Sequence, residues 1–478
     1  MPPLIKNLLS AFSLTVLLSI SSYAQGNFVY VNNDSDPVNT VSGFSIGPGG
    51  GLTPVAGSPF LTGSVGPSSG GLFAINRATV SAVGRFLFVS NLNSGNVSAF
   101  SINPISGVLT LVPGSPFSTG GTGECSIAPA PDGQFLIGAN DISNNITVFS
   151  IAGNGALAIV PGSPVPAGGT PDGIKVSPNG KFLAVALVFS DAVQMFSIGS
   201  NGSLTQVPGS PFVTTGPGAA AGVEINCASN LLFVGEAVGS GTTVDVFNID
   251  PNGALTPAPG SPFVVSSGDN SNIVLLSSDE RSLFVSNQFS NSVTVFTVAA
   301  SGGLTLVPGS PFLNGGSPFA FSLGMATNQS GTFLYDVNDE ADLSGFAIAA
   351  NGALIPVPGS PFMVPSSGRP GVAVYPAKNC NGFDLCIQDD SNGNILKVNS
   401  TTGDYLFTIC SGFSTGGRGT ITKKGSSITL EHSSADRRVL ARYDGSAHKA
   451  TASVQVFPLA INATIADRNT ADNTCTCN

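Results

Sequence analysis

"GRFLFVSNLNSGNVSAFSINPISGVLTLVPGSPF" (Gly84–Phe117) is the stretch whose reading decides the fold. It holds an apolar strand at Phe86–Ser90, an alternating strand at Val97–Ile102, a Ser-Gly turn, and a third strand at Val108–Val112. Other copies of the turn use Asn-Gly (Asn154-Gly155, Asn201-Gly202, Asn252-Gly253, Asn351-Gly352), the dipeptide that tolerates positive φ in a tight hairpin. The closing PGSPF recurs at Pro208–Phe212, Pro259–Phe263, Pro308–Phe312 and Pro358–Phe362, with near-copies at Ala56–Phe60 and Pro161–Val165. In all seven units the spacing of Gly107, Leu109 and Gly114 is kept without an insertion. A Phe stands six or seven residues before the first Gly of each unit, from Phe44 to Phe346.

A fourth strand precedes each unit, as in "GIKVSPNGKF" (Gly173–Phe182). Four short antiparallel strands recurring every 47 to 57 residues describe the blade of a β-propeller. The count also closes. "NFVYVNN" (Asn27–Asn33) reads as the second strand of a blade with no first strand before it, and "GVAVYP" (Gly371–Pro376) as a first strand with no blade after it. Joining the two predicts seven four-stranded blades over residues 25–378, closed by strand 371–376, with no free sheet edge around the ring. The proline-bracketed turn then ends each outermost strand, where a missing N–H costs no ladder bond, and its Phe is expected to wedge between blades.

Composition agrees. The chain has 60 Gly, 34 Pro and no Trp, and only 9% of its 478 residues are charged, which favours short strands over helices. Residues 1–24 read as a secretory signal peptide: "MPPLIKN" is a basic start, "LLSAFSLTVLLSI" an apolar core, and Ser22 and Ala24 occupy the small cleavage positions. No cysteine follows that site, which argues against a lipid anchor, and no later apolar run is long enough to span a bilayer. The expectation is an exported monomer, periplasmic or extracellular. Residues 25–378 carry seven basic and eighteen acidic side chains, a net charge of −11, so nucleic acid is excluded as a partner.

"YVNN" (Tyr30–Asn33) and "FVSN" (Phe88–Asn91 and Phe284–Asn287) resemble the YVTN repeat of bacterial seven-bladed propellers, and the ring as a whole is similar to the lactonase-type propellers, which include 6-phosphogluconolactonase-like enzymes. The resemblance implies the fold over about 350 residues and, more weakly, a lactonase activity. At Asn379 the repeat stops. Residues 379–478 hold five of the seven cysteines and balance nine basic against nine acidic side chains. Their alternating runs predict a small all-β, sandwich-like domain, which resembles a domain appended to exported bacterial repeat proteins. In an exported protein such cysteines are expected as disulfides: Cys386, Cys410, Cys475 and Cys477 are the candidates, with no pairing assigned, and Cys380 is the odd one left. Cys125 and Cys227 are expected as free thiols in inner strands.

The ring has no histidine, so a Ser-His-Asp triad or a histidine-built zinc site there is excluded, and neither metal nor cofactor is expected. His432 and His448, both in the last hundred residues, read as surface side chains. "DDSNGN" (Asp389–Asn394) lacks the glycine and glutamate of a calcium loop, and "GPGGG" (Gly47–Gly51) lies at a hairpin rather than before a helix. What remains is the channel mouth, where the loops leading into the inner strands gather. Asn76, Arg77, Glu124, Asp172, Asn272 and Arg369 are the ligand-binding candidates there, with Glu236 and Asp339 or Glu340 on other loops of that face. A carboxylate beside an arginine suits acid–base work on a lactone. Phosphorylated substrates call for basic residues that this ring lacks, so an enzymatic reading predicts a neutral or sugar lactone. The absence of Trp disfavours a carbohydrate-binding module. The sequence reading favours an exported, non-catalytic binding or scaffolding propeller for a small-molecule or protein ligand, with a lactonase-like hydrolase as the alternative.

Overall fold

Gly and Pro punctuate the chain too often for helices to form, and no helix occurs among the described residues. The structure is a computed structural model. It describes residues 26–378 apart from 66–77, 81–85, 240–242, 266–270, 316–320, 367 and 369, and beyond them Cys380 and nine strands between 385 and 468. The expected signal peptide, residues 1–24, lies outside the described residues.

Seven antiparallel sheets form the ring, numbered here from the N-terminus. Blade 3 serves as the pattern: inner strand Glu124–Pro129, then Phe135–Asn140, then Asn145–Ile151, then an outer strand Leu157–Ile159. Blade 1 is completed from far away. Its inner strand is Gly371–Tyr375, which pairs with Phe28–Asn32 in an unbroken register from Phe28 opposite Tyr375 to Asn32 opposite Gly371. The predicted closure is what the structure contains.

One detail differs from the expected four strands. Each sheet has a fifth, two-residue strand, such as Phe117–Ser118, that pairs with the start of the third strand while Leu109–Leu111 pairs with its end. The repeated turn therefore interrupts the outer strand instead of ending it. The interruption would leave one third-strand N–H without an acceptor, a costly state for a covered backbone group. The serine of PGSP fills the gap: Ala99 N–H donates to Ser115 Oγ at 2.9 Å, and the same bond recurs at Ser58, Ser163, Ser210, Ser261, Ser310 and Ser360. Phe117 is half-buried and packs with Val97 and Val112 of its own blade and Ile127 and Leu136 of the next, as the expected wedge.

The first glycine of each unit has its own physical reason. Gly107 sits at φ +72°, and a Cβ there would lie 2.5 Å from the ring of Phe28 in the preceding blade. Tyr30 of that blade donates its hydroxyl to the Gly107 carbonyl at 2.8 Å. The same contact closes the ring: Tyr335 of blade 7 donates to the Gly50 carbonyl of blade 1 at 2.8 Å, and Phe333 covers Gly50.

Beyond the ring, the described strands form a four-stranded and a five-stranded antiparallel sheet, Leu385–Arg418 and Thr420–Arg468. Cys386 and His432 lie in these strands, but their side chains, and all of Cys410, His448, Cys475 and Cys477, fall outside the described residues. The cysteine expectations need one correction. Cys227 and Cys380, expected as a free thiol and an unpaired leftover, are joined in a disulfide with Cα atoms 4.9 Å apart. Cys227 sits in the turn after inner strand Gly218–Ile225 rather than within it, where chain leaving the closing strand comes within reach.

Candidate active site

The inner strands surround the axis of the ring. At one level, opposite the third residue of each second strand, they carry Thr79, Ala128, Lys175, Glu224, Leu275, Ala326 and Ala373, one per blade. All seven line a cavity of about 200 Å³. Five of them are small or apolar. The two charged ones are neighbours: Lys175 Nζ donates to Glu224 Oε2 at 2.8 Å, with the Glu224 side chain only 6% exposed.

At the ends of the inner strands the chamber is lined in part by the chain that follows Tyr375. Ala377, Lys378 and Cys380 line it, and the Cys227–Cys380 bond ties this strap to blade 5, across the axis from blade 1. Lys378 Nζ donates to the Ser277 carbonyl of blade 6 at 3.1 Å and lies 3.6 Å from Glu280 Oε1. That same Glu280 oxygen accepts the Cys227 N–H at 2.6 Å. Burial pulls the Lys378 amine below its ordinary pKa, against the opposing pull of the Glu224 and Glu280 carboxylates, with Lys175 adding to the downward shift. Cys227, Glu280 and Cys380 also have metal-ligand atoms within 4.8 Å of one another, but a bonded sulfur pair offers no thiolate to an ion.

Those of the predicted mouth residues that are described and lie in inner strands, Glu124, Asp172 and Asn272, stand at the other end of those strands. Asn76, Arg77 and Arg369 are outside the described residues. Glu124 and Asn272 stand at the starts of the blade 3 and blade 6 inner strands, with their side chains not described. Asp172, at the same place in blade 4, is 2% exposed. Glu236, expected on a loop, is buried in the blade 5 strand Leu231–Gly239. Irregular pairing with Gly218–Ile225 extends that strand and sets Glu236 opposite Ala220. Burial first, then a hydrogen bond with Asp245, raises its pKa to about 8, although Thr243 Oγ1 and Gly218 N–H both donate to it. Asp339 accepts the Phe321 N–H at 2.7 Å, and Glu340 is exposed. Asp336 in blade 7 is also buried, and burial lifts its pKa to about 7 against hydrogen bonds from Ser322 and Asn314.

Sequence reasoning missed Lys175, Glu224 and Lys378. The first two were legible in phase, since "GIKV" (Gly173–Val176) and "GVEI" (Gly222–Ile225) are equivalent strands of adjacent units. Lys378 follows the last repeat, and no spacing rule reaches it.

A closed seven-bladed ring around a small axial chamber is the architecture of the lactonase-type propellers. The model of a family described as "Lactonase, 7-bladed beta-propeller" matches residues 112–219. A 6-phosphogluconolactonase of Formosa agariphila is 42% identical over 72 residues, which is 15% of this chain and 20% of that protein, so the chain matches about a fifth of the relative's length. Among solved structures, a Bacteroides fragilis protein assigned as a 6-phosphogluconolactonase superposes with a TM-score of 0.59 at 20% identity, over 74% of this chain and 99% of its own. The periplasmic gluconolactonase of Pseudomonas aeruginosa gives 0.57 at 20% identity, over 73% and 99%. At such identity the two structures speak for the fold. The family and these relatives carry lactonase names, which overturns the expectation of a non-catalytic binding or scaffolding ring. The missing histidine, on which that expectation leaned, excludes only histidine chemistry, and a carboxylate–ammonium pair remains.

Proposed function

We propose that the protein is an exported hydrolase that opens neutral sugar lactones in the axial chamber. The observation that carries this reading is the Lys175–Glu224 pair, 2.8 Å apart in a chamber whose wall at their level is otherwise small or apolar, within a ring similar to lactonase propellers. Glu224, nearly buried and hydrogen-bonded to Lys175, takes a proton from the attacking water. Lys175 has three N–H donors and spends one on Glu224, so others face the lactone carbonyl and the oxyanion that forms there. The acyl C–O bond then breaks, the ring oxygen recovers a proton from the Glu224 acid, and a hydroxy acid leaves. A cavity of about 150 Å³ takes up benzene, so this chamber suits a single small ring. With a ring charge of −11, a neutral lactone is preferred over a phosphorylated one.

The test follows acid release from glucono-1,5-lactone in a pH-stat, against the spontaneous rate. Wild-type protein is expected to exceed that rate, Glu224→Gln to lose about 100-fold or more in kcat, and 6-phosphogluconolactone to be the poorer substrate. A wild-type rate no faster than buffer, or an undiminished Glu224→Gln rate, overturns the reading.

A further inference from the structure

The strap does more than tie the closing strand to blade 5. It brings the Lys378 ammonium to the chamber wall, and one cluster fixes that group in place. The cluster joins two blades and the strap: the Cys227–Cys380 bond anchors the strap to blade 5, Glu280 of blade 6 accepts the Cys227 N–H, and Lys378 of the strap lies beside Glu280 and donates to the Ser277 carbonyl. An ammonium has three donors, and Lys378, which lines the chamber, makes one hydrogen bond at 3.1 Å and a looser ion pair at 3.6 Å. Glu280 holds a left-handed backbone at φ +59°, uncommon for a residue with a side chain, in the turn that aims its carboxylate at the Cys227 N–H. Lys378 and Lys175 both line the chamber, with Glu224 paired to Lys175.

We infer that Lys378 is the second oxyanion donor of the lactone hydrolase proposed above, and that the Cys227–Cys380 disulfide completes the site by holding Lys378 in it. The inference rests on that functional reading. It makes activity conditional on oxidation: a dithiol reductant converts the bond to two thiols, becomes a cyclic disulfide itself, and frees the strap.

The experiment compares oxidised and dithiothreitol-treated protein, wild type and Lys378→Met, in the same lactone assay, with acetylation of the Lys378 amine followed by mass spectrometry. Oxidised wild type is expected to be active and weakly acetylated at Lys378. Reduction is expected to lower kcat about 100-fold, the scale of losing one oxyanion donor, to raise acetylation, and to be reversed on reoxidation. Oxidised Lys378→Met should be equally slow, reduction should slow it little further, and Lys378→Arg should recover part of the rate. Equal rates for reduced and oxidised wild type, or the same loss on reduction in Lys378→Met as in wild type, overturn the inference. If no form opens lactones, the functional reading fails. Acetylation of Lys378 that is indifferent to reduction then also refutes the latch, whereas acetylation that rises on reduction upholds it.

Discussion

The outer edge of the ring and the wall of its channel are built from the same seven units and read in opposite ways. At the edge one solution is written seven times: a serine hydroxyl accepts the N–H that the broken outer strand abandons, between 2.6 Å at Ser210 and 3.0 Å at Ser360. At the wall one position holds five residue types over seven blades, as Thr79, Ala128, Lys175, Glu224, Leu275, Ala326 and Ala373. Repetition marks a problem each blade must solve for itself. A repeat interrupted on the axis, where all blades meet, marks a place where the ring acts as one object. Changes at the edge should therefore move stability and spare turnover, and changes at the wall should do the reverse.

The hardest blow to the edge side falls at Gly107. Gly107→Ala adds a Cβ 2.5 Å from Phe28 at φ +72°, so backbone strain and overlap together are expected to cost roughly 2–5 kcal/mol. Gly49→Ala is the control, because nothing lies within 4 Å of a Cβ there. Urea titration of both variants decides it, and equal midpoints would break the comparison from the edge side.

A middle-sized effect belongs to the blade interior. Glu236 has its pKa raised to about 8 in the fold, well above its ordinary value, chiefly by burial, and Asp336 is raised to about 7. A raised carboxyl favours folding while protonated, so its contribution is full below the ordinary carboxylate pKa and is lost as pH climbs through the folded value. The melting temperature is expected to fall from pH 5 to pH 8. Glu236→Gln, which keeps the neutral form, should flatten part of that slope. A pH series of thermal melts measures both, and an unchanged slope in the variant would locate the pH dependence elsewhere.

The smallest effect sharpens the comparison most. Ser115→Ala removes one hydroxyl from one blade and is expected to cost about 1 kcal/mol with kcat unchanged. Calorimetry and the lactone assay on the same preparation provide the check. A variant as stable as wild type would mean that water serves the Ala99 N–H equally well.

Local rules made the edge legible: Asn-Gly turns, alternating strands and a fixed Gly-Leu-Gly spacing gave blade number, strand order and the partner of Gly371–Tyr375. They did not reveal that the outer strand resumes at Phe117, because two residues carry no periodicity. The chamber was half legible, since Lys175 and Glu224 occupy equivalent strand positions in neighbouring units. The strap was not legible, because Cys380 meets Cys227 across 153 residues through ring geometry that no local pattern encodes. The burial of Asp172, a polar residue at the end of an inner strand, has no local signal either.

The seam between Phe28–Asn32 and Gly371–Tyr375 also fixes an order of events. A chain emerging from its N-terminus presents strand Phe28–Asn32 first, and the strand that covers its inner edge is almost the last part of the ring to arrive. Loop closure over such a separation makes this pairing a late step. Until then the Phe28 and Tyr30 strand stands as an open edge, exposed to pairing with other chains. A ring of this kind gains from being held unfolded until Tyr375 has joined Phe28, so its natural hazard is not heat but interruption.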